Sequence, residues 1–422
     1  MRMTDSDRAS TLRRDLRLIY ADGLFYSLMV GLGESSFPAF ALALGMSAAS
    51  AGMMATLPMF LGAALQLGSF ELLRAVGSKR RWIAMCVGLQ AASFVPLIAG
   101  AWHGSLSFVL LYAIVSLYWA LGFAAGPSWN TWVETLVPPS LRRNYFARRT
   151  RMLYLATFVA LLAAGAILEW GSGSNSPLAA FAVVFALSLL ARGASGACLA
   201  SQSEPVKLTE TMRAVSLWQF VVRLRHGRDG RLIAYMLVYQ FAGWVMLPFL
   251  LPYLLAHLHF GYIRAMSLIA ASFAGKYICL FVFERTVRRM SVRGLMWAGS
   301  VGMLPATLLW ICGDSLAQLL LAQLAIGACL AAFELSTFLC YFDAIPAHER
   351  TSVLTSLNLG NAAVFTGGSA LGALVLSRGH DAREAYLFVF GLSAFLRVLS
   401  LFFLRRVSTG SEEMTGQSRA SA

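Results

Sequence analysis

A chain of 422 residues that is 58% hydrophobic and only 13% charged, with a mean hydropathy of +0.67, lies far from the roughly 25% charged residues of a soluble domain. Its formal charge of +14 would suit a nucleic-acid binder, but the basic residues alternate with apolar runs instead of gathering in one patch or tail, which excludes that class. The sequence reads as an all-α membrane protein.

In chain order, apolar runs of about 20 residues, enough to cross a ~30 Å hydrocarbon core as a helix, predict spans at 18–42, 48–72, 81–102, 106–134, 146–170 and 178–200. A second set follows at 231–256, 263–284, 293–312, 315–342, 352–377 and 384–404. Residues 1–17 form a cytoplasmic N-terminal tail, 18–201 a first six-helix bundle, 202–230 a cytoplasmic linker, 231–406 a second bundle and 407–422 a disordered cytoplasmic tail. With the N-terminus inside, 28 of the 34 Lys and Arg fall on the cytoplasmic side. That asymmetry in short loops fixes both termini inside an inner, plasma-type membrane. The first run carries Asp22 and Glu34 and lacks a small-residue cleavage site, so it is expected to be a retained helix. Cys86, Cys198, Cys279, Cys312, Cys329 and Cys340 form no CxxC pair and read as small hydrophobes.

The two sets of spans repeat one another. "FALSLLARGAS" at 185–195 returns as "FGLSAFLRVLS" at 390–400, "RLI" at Arg17 returns at Arg231, Pro38 as Pro252, "FELLR" from Phe70 as "FERTV" from Phe283, and "WNTWVE" from Trp129 as "FLCYFD" from Phe338. Five matches in serial order predict two pseudo-symmetric six-helix halves, related by an axis along the membrane normal, with a solute site between them. Within the linker, "RAVSLWQFVVRLRHGR" has the pattern of a basic amphipathic helix on the inner leaflet. Arg192 and Arg397 share a stripe with Ser188 and Ser195, and with Ser393 and Ser400. Each lies eight residues, or about 12 Å, from the cytoplasmic end of its helix, as a packing anchor that snorkels or pairs.

Charged and amide groups inside apolar runs are costly and mark candidate sites. Glu34, in "GLGESSFP", has small neighbours that let helices approach closely and is the candidate coupling acid. Lys276 and Glu334 are placed at similar depth, either as a structural ion pair or as a pair for which solute or proton competes. Asn130, Gln240, Asn358 and Asn361 are the best candidates for solute contact. No metal-ligand cluster, P-loop or catalytic set is recognisable, so neither an enzyme nor a cofactor is expected.

Twelve spans in two matched halves, with "GSFELLRAVGSKRRW" at 68–82 between spans two and three and "VETLVPPSLRRNYFARR" at 133–149 between spans four and five, resemble the major facilitator superfamily of secondary transporters. The resemblance implies a rocker-switch in which two bundles tilt about a central site. It also implies cytoplasmic gating ion pairs among Glu71, Glu134 and Arg142 and among Glu284, Asp343 and Arg350. The function expected is proton-coupled transport of a small organic solute by a monomer in the lipid bilayer, with export favoured over uptake. A membrane-embedded enzyme acting on lipid and a lipid flippase on the same scaffold are the alternatives.

Overall fold

The computed structural model describes residues 5–173, 177–204, 218–219, 221–222, 227–286, 291–344, 350–379 and 382–404. Among the described residues, twelve helices are long and apolar enough to cross a membrane. They are α1 (Ser10–Ala43), α2 (Ala48–Gly68), α3 (Lys79–His103), α4 (Phe108–Leu136), α5 (Pro139–Ser172) and α6 (Pro177–Ala200), then α7 (Gly230–His257), α8 (Tyr262–Val282), α9 (Val292–Cys312), α10 (Leu316–Thr337), α11 (Ser356–Arg378) and α12 (Arg383–Leu404). Each expected span has its helix. The chain forms two compact units, Met1–Thr211 with Phe260–Ala270, and Met212–His259 with Ala271–Ala422.

Two boundaries differ from the sequence expectation. Helical structure begins at Asp5 rather than at residue 18, so residues 5–17 of the expected tail continue the first span as one rod; the run "TLRRDLRL" is rich in good helix formers, and its charge does not stop the helix. The fifth span starts at Pro139 rather than at residue 146, because a proline in the first turn has the right φ and no N–H to leave unpaired. The expected amphipathic linker helix and the tail at 407–422 lie largely or wholly outside the described residues.

Local sequence places the helix ends. Ser78 caps α3, its Oγ accepting from Arg81 N at 3.2 Å. Glu204, just past α6, accepts from Ser78 Oγ at 2.6 Å and from Lys79 N at 2.7 Å, a carboxylate on the positive end of a helix. The preceding short helix, Ser69–Val76, stops at Gly77, whose φ of 70° is the left-handed cap that glycine adopts without strain.

The leading helix of each half is broken. In α1 the α-helix runs to Leu32, gives way to a 3₁₀ turn at Glu34–Ser36 and resumes at Phe37. Pro38 removes one amide donor, and its ring clashes with the carbonyl four residues back, that of Glu34. Ser35 and Ser36 donate to the Val30 and Leu32 carbonyls at 3.0 and 2.6 Å and so satisfy acceptors at the break. In α7 the α-helix ends at Trp244, and Pro248 stands four residues later in a 3₁₀ turn at Leu247–Phe249. The same covalent cause thus acts in both halves.

Apolar faces close each core. In the first unit Phe37, Phe94, Tyr118 and Phe185 pack ring on ring, with centroids 5.3–6.1 Å apart. In the second, Phe390, the repeat partner of Phe185, meets Tyr253 and Trp310 at 5.3 and 6.0 Å. Glycines set the close crossings: a Cβ on Gly31 would stand 2.6 Å from that of Ala160 on α5, and one on Gly33 would meet Ser188 Oγ on α6 at 2.6 Å. These are the small neighbours of Glu34 that the sequence singled out.

Candidate functional site

The first unit holds a buried polar cluster contributed by five helices. Arg192 on α6 donates from Nε to Gln90 Oε1 at 2.8 Å and from Nη1 to Ser195 Oγ at 2.9 Å. Ser195 in turn donates to Asp22 Oδ1 on α1 at 2.7 Å, and Gln90 Nε2 donates to the Tyr118 carbonyl on α4 at 3.1 Å. Arg149 on α5 approaches the other Asp22 oxygen at 3.8 Å and donates from Nε to the Ile19 carbonyl at 3.2 Å. Its guanidinium lies over the Trp129 ring, 4.8 Å from the centroid, and that of Arg192 over Tyr26 at 4.9 Å. Gly23 leaves room for Arg149, since a Cβ there would stand 2.6 Å from Nη2. A charge desolvated to this degree is tolerated only when its donors and acceptors are met, as they are here. Arg192 is therefore an internal pairing residue; it does not snorkel.

Glu34 lies one step beyond. At the break in α1 its Oε2 accepts from the Tyr118 hydroxyl at 2.6 Å, it is half-buried, and it is within electrostatic reach of Arg192. Two carboxylates, Asp22 and Glu34, thus face two guanidiniums. Protonating Glu34 leaves the cluster with one uncompensated positive charge.

In the second unit Lys276 Nζ meets Glu334 Oε1 at 2.7 Å, so the structure joins the two residues that the sequence placed at equal depth. Lys276 follows Gly275, and Glu334 stands seven residues after Gly327 on the same face of α10. The backbones touch at these glycines: a Cβ on Gly275 would strike the Leu324 carbonyl oxygen and one on Gly327 that of Ser272. The ion pair therefore belongs to the α8–α10 crossing. Of the amides, Asn130 is exposed on α4, and Gln240, Asn358 and Asn361 are half-buried on α7 and α11. Asn361 Oδ1 is a buried acceptor with no partner among the described residues.

The expected gating groups divide. Arg142 Nη1 pairs with Glu134 Oε1 at 3.1 Å, while its Nη2 and Nε donate to the carbonyls of Glu134 and Val137 at 2.7 and 3.0 Å. That geometry wraps the α4–α5 turn. Glu71 is exposed and forms no ion pair among the described residues. The side chains of Glu284, Asp343 and Arg350 lie outside those described. Because the Glu134 side chain is 58% exposed, Glu134→Gln is expected to cost less than about 1 kcal/mol. A shift of more than a few degrees in the melting temperature of the purified variant would contradict this.

Sequence reasoning missed Asp22, Gln90, Tyr118 and Arg149 as parts of one cluster. Asp22 reads as a group at the inner mouth of its span, and Arg149 as one loop charge among five. For Arg149 the signal was available: residues 149, 156, 160 and 164 lie on one face of α5, and all four are buried. Gln90 and Tyr118 gave none, since they meet Arg192 and Glu34 only through tertiary packing. Among the described residues no group of three His, Cys, Asp or Glu could hold a metal ion.

No protein-family model and no curated protein matches the sequence. Solved structures do match. A D-xylose–proton symporter superposes with a TM-score of 0.71 at 13% identity, over 94% of this chain and 98% of the other. A nucleoside transporter gives 0.70 at 14%, over 94% and 100%, and an inward-facing bacterial homologue of the iron transporter ferroportin gives 0.67 at 15%, over 94% and 99%. The fold is that of a polytopic all-α membrane protein. It is the major facilitator fold, with twelve helices in two pseudo-symmetric bundles of six.

Proposed function

We propose that the protein is a secondary active transporter that moves a small organic solute by alternating access, with Glu34 taking up and releasing the coupling proton. The observation that carries this reading is the placement of Glu34. It is a half-buried carboxylate at the only break in α1, held by one hydroxyl, and its charge balances a guanidinium cluster. Loss of that charge on protonation unbalances the cluster, and a group that changes its neighbours' energies at a helix joint is what coupling requires. The fold neighbours add support, since one is a proton symporter and another a nucleoside transporter. Asn130, Gln240, Asn358 and Asn361 supply uncharged polar contacts for the solute, and Lys276 with Glu334 a pair that the solute or a proton can divide. Both termini face the cytoplasm of an inner membrane under the positive-inside rule, and the working unit is the monomer.

Flux into proteoliposomes, measured against a panel of solutes with and without an imposed pH gradient, tests the proposal. Gradient-driven accumulation is expected for the intact protein, and Glu34→Gln is expected to reduce it to the level of empty liposomes while solute exchange persists. Tyr118→Phe, which removes only the hydroxyl, is expected to shift the pH dependence of flux. Accumulation that is unchanged in Glu34→Gln would refute coupling at this residue. A new chemical product in place of the solute would refute transport itself.

A further inference from the structure

The two halves differ where their sequences agree most closely. Arg192 and Arg397 occupy equivalent places, and both are buried. Each guanidinium lies over a tyrosine of the leading helix of its half, Arg192 over Tyr26 at 4.9 Å and Arg397 over Tyr239 at 5.1 Å. In the first half Ser195 links the arginine to Asp22. The offset that carries Arg17 to Arg231 and Pro38 to Pro252 carries Asp22 to Met236, a buried thioether. Ser400, in the place of Ser195, donates to the carbonyl of Arg397 itself at 2.6 Å.

Arg397 therefore has the surroundings of Arg192 without its carboxylate. It forms no ion pair among the described residues; its Nε is buried without a hydrogen-bond partner among them, and the hydroxyl of Tyr239, which reaches only the Arg397 guanidinium, finds no acceptor among them for its own proton. Tyr239 is 1% exposed and Arg397 4%. Gly243 brings the α7 backbone against the guanidinium, a Cβ there standing 2.7 Å from Nη2. A permanent cation at this depth demands a counter-charge, because an unpaired ion in a low-dielectric interior costs several kcal/mol. Both unsatisfied groups are able to donate, which selects an anion over a cation.

We propose that Arg397 and Tyr239 form a binding site for a monovalent anionic group, a halide or a carboxylate, inside the second unit. The carboxylate would belong to the transported solute; the halide would be a free ion. Glu34 belongs to the first unit and these two residues to the second, so either assignment can fail while the other holds.

The test is the melting temperature of the purified protein in a methanesulfonate buffer titrated with chloride, acetate or benzoate. A saturating rise of about 3 °C or more is expected with at least one of these anions, together with loss of the rise in Arg397→Gln and its retention in Arg264→Gln. Response to chloride alone assigns the free ion; response to carboxylates without chloride assigns the solute's own group. Tyr239→Phe keeps the ring and is expected to raise the half-saturating concentration about tenfold or more, by loss of a hydrogen bond to a charged partner. An intact protein that responds to none of the three, an Arg397→Gln protein that responds as fully as the intact one, or an unmoved midpoint in Tyr239→Phe would overturn the proposal.

Discussion

Replacing Arg192 with methionine will destabilise the protein by about 3–5 kcal/mol, because removal of one member of a buried charged set leaves the others desolvated without compensation. Asp22 would keep the Ser195 hydroxyl but only one cation, Arg149, at 3.8 Å, and Gln90 Oε1 would lose its donor. Adding Asp22→Asn to the same chain is expected to recover part of the loss, since the residual charge then disappears with its partner. The matching Arg397→Met change abandons no carboxylate and is expected to cost far less. Thermal and denaturant unfolding of the four proteins in one detergent decides the matter. Equal losses for Arg192→Met and Arg397→Met would mean that the hydrogen-bonded chain through Ser195 contributes nothing to stability.

The second large effect is steric. Gly327→Val is expected to abolish folded protein, whereas Gly391→Ala on α12 is expected to be neutral or to stabilise by roughly 0.5–1 kcal/mol. Inserting methyl groups into a packed core ordinarily costs about 1–3 kcal/mol when neighbouring side chains can give way. At Gly327 the obstacle is the Ser272 carbonyl, which is backbone and cannot rotate aside, while at Gly391 nothing lies within 4 Å. The Lys276–Glu334 pair spans the same crossing and would separate with it. Size-exclusion profiles of membrane extracts provide the readout, and a monodisperse Gly327→Val protein with normal stability would disprove the close approach of α8 and α10.

The architecture was largely legible in the sequence because hydrocarbon thickness imposes one length on every span. The serial matches from Arg17 to Arg397 carried the duplication just as directly. What was not legible is instructive. Glu34 was recognised, but its hydroxyl partner stands 84 positions away on α4, and no local pattern marks Tyr118 among the chain's 13 tyrosines. Asp22 and Arg149 did not stand out because one lies near the cytoplasmic end of its span and the other in a run of five arginines, which look like solvated ends until the helices extend past them. The break in α1 was written in Gly33 and Pro38, whereas its counterpart in α7 needed Pro248 to be distinguished from the repeated Pro252. Local stereochemistry is readable from one chain; the choice of partners across a bundle is not.

The continuous segment from Asp5 to Leu32 gives the joint at Gly33 a mechanical meaning. Twenty-eight helical residues at 1.5 Å each make a stiff arm about 42 Å long, so a tilt of about 10° at its pivot sweeps the far tip through about 7 Å. Small angular work beside Glu34 is thus magnified into a displacement longer than a helical turn at the opposite end of the arm.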